Sequence, residues 1–365
     1  MYKKGFGIQE LFPVNSVGIV TARDQFTIHE TPQKLKGTIL EFISLDNESA
    51  RKRFNLGKDV RDWSVAGARK DLVPNPDKNP QPDFSKIVPI QYRPFDTRYT
   101  YYTGQSKGFH CMPRGNVMRH FLVGDNIGVM VCRQQKTDGF FHCLIHENIV
   151  ESSYVSNKTS EIGYSFPLYI YPFDDSSERR SNLNYEIVKT IEAITGLCFS
   201  EEKFEDTNTF APLDILDYVY AVLYSPGYRE KYKEFLKIDF PCVPFPADAK
   251  QFYTLASYGA ALREIHMLGS VTPSTDIALY PITGSNTIDR MVYKDKNVWI
   301  NKEQYFDTVP EEVWNFRIGG YQSAQKWLKD RQGRTLDFDE IEHYQKIVHA
   351  LYLTQSIQRQ IDYAL

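Results

Sequence analysis

Apolar positions in the first 170 residues come mostly as short runs of aromatic and β-branched side chains, bounded by Gly, Asp, Asn or Pro. That spacing predicts strands. Val17, Ile19 and Val20, then Thr21 to Asp24, then Phe26 and Ile28 read as strand, turn, strand over 16–28. Residues 98–102, 127–133, 140–145 and 166–171 read as further strands. Two short helices are predicted over 32–43 and 47–54, on Leu35, Ile39, Leu40 and Phe42, and a third near 116–121. Four prolines between positions 74 and 82 make that stretch a loop.

The pattern changes after residue 173. Residues 174–206 hold nine carboxylates (Asp174, Asp175, Glu178, Glu186, Glu192, Glu201, Glu202, Glu205, Asp206) against four basic residues, with room for one helix at 185–195. Beyond them the apolar spacing approaches 3.6 residues: Leu213, Leu216, Tyr220, Leu223 and Tyr224 over 212–236, then Phe252, Leu255, Tyr258, Leu262 and Ile265 over 246–268. A small strand pair is expected between 276–280 and 291–300, and helices over 321–330 and 338–363. The fold class predicted is α+β: a β-rich part (1–173), an acidic connector (174–206) and a mainly helical part (207–365). No internal repeat or low-complexity tract is present.

A chain of 365 residues can support two packed units. Its 24 Tyr and 23 Phe suit strands and flat contact surfaces. No run of eighteen apolar residues exists, and Met1-Tyr2-Lys3-Lys4-Gly5 has no signal-peptide core. Five scattered cysteines, none in Cys-x-x-Cys, fit free thiols in a cytoplasmic protein.

Charge adds one local feature. The net charge is −3, yet residues 90–136 carry seven basic side chains against Asp96 and Asp125. Five of the seven are Arg, whose planar fork grips a phosphate or a guanine edge in two places. A modest net charge with one basic face fits docking on double-stranded DNA. The candidate contacts are Arg23, on the turn at 18–24; Arg93 and Arg98, which Asp96 can orient; Arg114, Asn116 and Arg119, around a helix start that Asn116 can cap; and Arg133, Gln134, Gln135 and Lys136, a polar loop after a strand, where Gln suits an adenine edge. Residues 317–334 form a second basic segment, with Arg317, Lys326, Lys329, Arg331 and Arg334 against Asp330.

Several segments, in order along almost the whole chain, resemble the C-terminal specificity region of type ISP restriction–modification enzymes and related adenine-N6 DNA methyltransferases. They are Gly18-Ile19-Val20-Thr21-Ala22-Arg23-Asp24, Tyr92-Arg93-Pro94-Phe95-Asp96-Thr97-Arg98, Phe166-Pro167-Leu168-Tyr169-Ile170-Tyr171, Tyr218 to Leu223 with Ser225-Pro226-Gly227-Tyr228-Arg229, Asp239-Phe240-Pro241 with Val243-Pro244-Phe245-Pro246, and Gly320-Tyr321 with Lys326-Trp327-Leu328-Lys329-Asp330-Arg331. The resemblance implies recognition of a DNA target sequence for phage defence, with the methyltransferase domain of the same or a neighbouring polypeptide as partner. S-adenosylmethionine is expected for that domain and no cofactor for this chain.

The residues agree that methyl transfer lies elsewhere. Flipping and methylating an adenine needs an Asn/Asp-Pro-Pro-Tyr/Phe loop. The nearest approach, Asn79-Pro80-Gln81-Pro82, lacks the adjacent second proline and the aromatic ring. No Gly-x-Gly-x-x-Gly or Walker loop exists. His142-Cys143-Leu144-Ile145-His146 sits in a strand-like stretch, where its two imidazoles are too far apart for one ion. Glu201-Glu202-Lys203 with the distant Pro82-Asp83 is a weak nuclease pattern. Two rivals therefore stand beside DNA recognition: a scaffold packing on a methyltransferase or motor domain, and a free-standing hydrolase or nuclease.

Overall fold

The protein is described by a computed structural model over residues 2–158, 161–173, 178–204 and 208–365. Asp174, Asp175, Glu205 and Asp206, four carboxylates of the expected acidic connector, lie outside the described residues. The fold is mixed α+β, as its residue pattern predicts.

Two four-stranded sheets organise the first half. One has the order Ser16–Val17, Gly163–Pro167, Gly128–Cys132, Cys143–His146, all antiparallel. The other runs Ile28–His29, Asp96–Tyr101, Ile87–Arg93, Ile149–Val150, the last pair parallel. Residues 18–20 carry the chain from the first sheet to the second: the Gly18 amide donates to Gly163, and Ile19 donates to Val150. The passage is tight, because a Cβ on Gly18 would stand 2.7 Å from the Ser152 backbone. Only glycine fits there. The expected strand around Phe26 is instead one helical turn, Asp24–Thr27, whose Phe26 ring turns into a local core with Phe42, Trp63 and Phe109.

Helix boundaries follow local chemistry. Thr31 caps Pro32–Ser44, Asp46 caps Asn47–Arg53, and Asn184 caps Tyr185–Thr195, which ends at the left-handed Gly196. The expected continuous helix over 212–236 is three: Pro212–Tyr224, Pro226–Lys231 and Lys233–Leu236. Pro226 has no N–H to continue the ladder, and Ser225 turns extended to cap the next helix on Tyr228. Helix Val65–Leu72 went unpredicted. The expected strand 291–300 folds back on itself as Val292–Lys294 and Asn297–Trp299, with Asp295 and Lys296 both at positive φ. That is the twist a two-residue hairpin turn requires. It joins Tyr305–Phe306 rather than 276–280, which contributes only a single bridge from Leu279 to Asp307.

Helices Pro212–Tyr224 and Ala249–His266 lie in close contact, because Gly259 meets the Asp217 carbonyl where a Cβ would stand 1.8 Å away. The two larger cores each draw on both halves of the chain. One joins Val129, Ile145 and Phe166 to Tyr220, Tyr224 and Leu255; the other joins Met130, Leu144 and Ile149 to Trp327, Tyr344 and Val348. The sheets are thus walled by the long C-terminal helices.

Candidate nucleic-acid interface

The basic, aromatic run of the sequence divides in space between interior and surface. Strand Gly128–Cys132 is buried throughout, so the chain leaving it emerges at a fixed point. The loop that follows presents Arg133, Gln134 and Lys136 to solvent and tucks Thr137 inside. Glu161 holds that loop in shape. Its buried carboxylate accepts from the backbone N–H of Lys136 (2.7 Å) and of Thr137 (2.8 Å), from the Thr137 hydroxyl (2.8 Å) and from Ser156, and lies 3.0 Å from His142 Nε2. Burial pushes the Glu161 pKa up, but these hydrogen bonds outweigh it and hold the carboxyl far below the usual range.

Cations cluster around this braced loop. Lys158, exposed, donates to the Thr137 hydroxyl at 3.1 Å. Lys237 lies alongside, its carbonyl accepting from Gln135 N and its ammonium 3.5 Å from Asp138. Arg133 donates to Asp239 at 2.9 Å, with both side chains about half exposed. Such exposed pairs contribute about 0–1 kcal/mol. A phosphate can therefore displace Asp138 or Asp239 at little cost.

A second polar locus is a groove of about 580 Å³ between Asn15, Ser16, Lys107, Arg114 and Asn116. Arg114 stands in left-handed conformation (φ 59°) just before helix Gly115–Met118. Its guanidinium reaches Met112 Sδ at 3.2 Å, and its Nε is buried with no partner. Asn116 is exposed. It lies inside the helical turn rather than capping it; Arg114 occupies the cap position.

The fold engages or buries five of the sequence candidates, four of them against acceptors of its own. Arg23 spends its guanidinium on the carbonyls of Leu56 (2.6 Å), Ala22 (2.7 Å) and Lys58 (3.2 Å) and stacks 4.9 Å over Trp63. Arg93 is buried between Glu151 (2.5 Å) and Asp24 (3.5 Å), over the Tyr92 ring. Arg98 is held by both Nε and a terminal nitrogen on one oxygen of Asp96. Arg119 donates to the carbonyls of Tyr171 and Pro172, at 2.6 Å each. The Gln135 amide is buried, and neither of its polar atoms has a partner. A buried guanidinium needs opposing charge or carbonyls, and the fold supplies them to four of the ten candidates. Three of the five cations of the second basic segment are absorbed likewise: Arg331 meets Asp96, Arg334 meets Glu340, and Lys326 pairs with Asp330, while Arg317 and Lys329 stay exposed.

The sequence reading missed Glu161, Lys158 and Lys237. Nothing local marks them, since their contacts with the loop come from across the fold: Glu161 reaches Lys136 25 positions away and Lys158 reaches Thr137 21 positions away, while Lys237 meets the Gln135 backbone from the end of a distant helix. In the weak nuclease pattern, Glu201 accepts from Ser181 and Tyr185, and Lys203 is bonded to Asp214. His146 is engaged by Ser165 and Asn148. Among the described residues no group of His, Cys, Asp and Glu could hold a metal ion, and no helix is long and apolar enough to cross a membrane.

The family described as Type ISP C-terminal specificity domain matches residues 10–360. No curated protein matches the chain. Several solved structures share its fold, among them the following three. The ATP-dependent Type ISP restriction-modification enzyme LlaBIII bound to DNA is 15% identical, with a TM-score of 0.72 over 99% of this chain and 24% of that one. The DrdV–DNA complex is 20% identical, with a TM-score of 0.68 over 96% of this chain and 36% of that one. A nuclease-deletion mutant of the Type ISP restriction-modification enzyme LlaGI, in complex with a DNA substrate mimic, is 16% identical, with a TM-score of 0.69 over 99% and 34%. This chain therefore spans between a quarter and just over a third of the proteins it resembles.

Proposed function

This chain belongs to the Type ISP C-terminal specificity domain family, and from that footing we propose that it reads the base sequence of double-stranded DNA and holds the duplex in register for a catalytic neighbour. The neighbour is a methyltransferase domain of the same or another polypeptide, which brings S-adenosylmethionine and flips the adenine. The assembly works in the cytoplasm, where its DNA is.

The observation that carries the reading is the loop braced by Glu161. It offers Arg133, Gln134 and Lys136 to solvent while its backbone is tied to a buried, ionised carboxylate. Recognition needs polar side chains whose backbone does not have to be ordered on binding. Lys136, Lys158 and Lys237 take phosphates and set position; Arg133 and Gln134 reach base edges. Arg114 and Asn116, at the second groove, extend the contact.

The scaffold reading draws support from a different observation: Arg93, Arg98 and Arg119, three of the basic residues that suggested a DNA surface, are consumed inside the fold. Titrating a labelled duplex of mixed sequence between about 50 and 200 mM salt separates the two. A DNA reader making several phosphate contacts loses affinity by orders of magnitude over that range. Absence of binding at the low-salt end would leave the scaffold.

A further inference from the structure

Arg229, in helix Pro226–Lys231, is 7% exposed and has no carboxylate within 4 Å among the described residues. Its Nε donates to the Leu223 carbonyl at 2.5 Å, at the end of the preceding helix. Around it stand the rings of Tyr224 at 4.6 Å, whose hydroxyl it also engages, Phe141 at 5.7 Å and Phe140 at 5.9 Å. Asp362, an acid that acts on it electrostatically, is already bonded by Ser225 Oγ and Gly227 N. Burial lowers the Arg229 pKa, the mark of a cation short of counter-charge.

The guanidinium faces a groove of about 470 Å³, walled by Phe140, Phe141, Phe316 and Pro226. Arg317 is exposed, has no acid in ion-pair distance among the described residues, and stands at the same groove; Glu230, an acid in its wall, is held by Lys233 at 2.5 Å. The groove is thus apolar along its sides, cationic within, and short of negative charge. It lies where the two large cores meet, the Phe141 carbonyl accepting from Gly319 N at 2.6 Å.

We propose that this groove docks a polypeptide segment carrying a carboxylate next to a large apolar side chain, supplied by the catalytic neighbour. The inference rests on the neighbour in the proposed function, not on the DNA. A carboxylate matches the fork of Arg229 with both its oxygens, and the apolar side chain covers the rings. A phosphate would set its additional charge against the phenyl walls, where a carboxylate's single charge is matched by the fork. In the enzymes of similar fold, well over half of the polypeptide lies outside the matched part, so a segment of this chemistry has a source.

The probe is acetyl-Phe-Glu-Phe-amide, titrated calorimetrically into the full chain, with acetyl-Phe-Gln-Phe-amide as its neutral twin and inorganic phosphate as a third ligand. The acidic peptide should bind saturably and the neutral twin about tenfold or more weakly, as the loss of a charge-assisted pair predicts. Arg317→Glu, at an exposed site, should weaken the acidic peptide about tenfold by charge reversal without changing the melting temperature or duplex affinity. Arg229→Lys should weaken it similarly, since ammonium lacks the fork. The proposal is overturned if the acidic peptide does not bind by about 10 mM, the regime of the weakest specific contacts, if the neutral twin or phosphate binds as well, or if Arg317→Glu leaves the peptide affinity intact. Loss of duplex binding in Arg317→Glu would also overturn it, by assigning the groove to DNA. Failure of the wild-type chain to bind duplex, with peptide binding intact, would sink the DNA reading alone.

Discussion

Arg331 donates a 2.9 Å hydrogen bond to Asp96, 235 positions away, on the carboxylate oxygen that Arg98 leaves free. Asp96 is 2% exposed and Arg331 7%. The contact pins the Ile87–Arg93/Asp96–Tyr101 hairpin to the C-terminal helices, with Arg331 also stacked 3.7 Å over Trp327. Arg331→Met strands a buried carboxylate between the remaining Arg98 and the core. Breaking a buried pair from one side costs about 3–5 kcal/mol, which denaturant unfolding should register, and Arg98→Ala should act through stability in the same direction. A midpoint unchanged in Arg331→Met would show that the pair contributes nothing.

Duplex affinity should respond to the braced loop and not to that pair. Arg133→Ala and Lys136→Ala are each expected to lower affinity, and removal of a phosphate contact lowers the slope of log K against log salt by about 0.9. Neither should shift the melting temperature, since Arg133 and Lys136 are exposed. Equal affinity in both variants would move the interface elsewhere, with the Arg114–Asn116 groove the next place to test.

Glu161 acts through the loop rather than on DNA. Glu161→Gln keeps the shape but loses charge-assisted hydrogen bonds worth about 1.5–3 kcal/mol each at most. Amide hydrogen exchange at Lys136 and Thr137 should accelerate, and duplex affinity should fall. In a Lys136→Ala background the same substitution should cost less affinity than in the wild type, because the two act through one loop. Strictly additive losses would mean that Glu161 supports the fold at large and not the loop's geometry.

Acid should destabilise the protein in two stages. Burial lowers the pKa of His110 and His266 to about 3 and of His120 and His146 to about 4. In the unfolded chain these imidazoles titrate near 6.5. Their stabilisation is therefore complete above about pH 6.5 and drains as the pH falls below it, since only the unfolded state takes up the protons. From about pH 4 downward the depressed carboxyls of Glu161 and Asp96 add a second loss of the same sign, theirs being complete only above the unfolded carboxylate pKa. Unfolding midpoints measured from pH 7.5 to 3 should stay level down to about pH 6.5 and fall below it, and a His110→Gln, His266→Gln double variant should fall less steeply between about pH 6.5 and 4. A flat profile between pH 6.5 and 5 would contradict the buried, neutral assignment.

What the sequence by itself determined is local. The strand runs, the capped helices at Thr31, Asp46 and Asn184, and the polar loop after Cys132 are set by side-chain period, cap chemistry and the breaking action of Gly and Pro, all of which act within a few residues. The ordered run of motifs was enough to reach the family. What only the tertiary structure decided is which charges face water. Arg93, Arg98 and Arg119 carry the same chemistry as Arg133, but Glu151, Asp96 and the carbonyls of Tyr171 and Pro172 come to meet them. Two of those partners stand 52 and 58 positions off, and Arg331 reaches Asp96 from 235 positions away. A guanidinium's fate depends on whether the fold brings it an acceptor, and the energy that buries it is Coulombic and set by distance in space, which residue order along the chain does not encode.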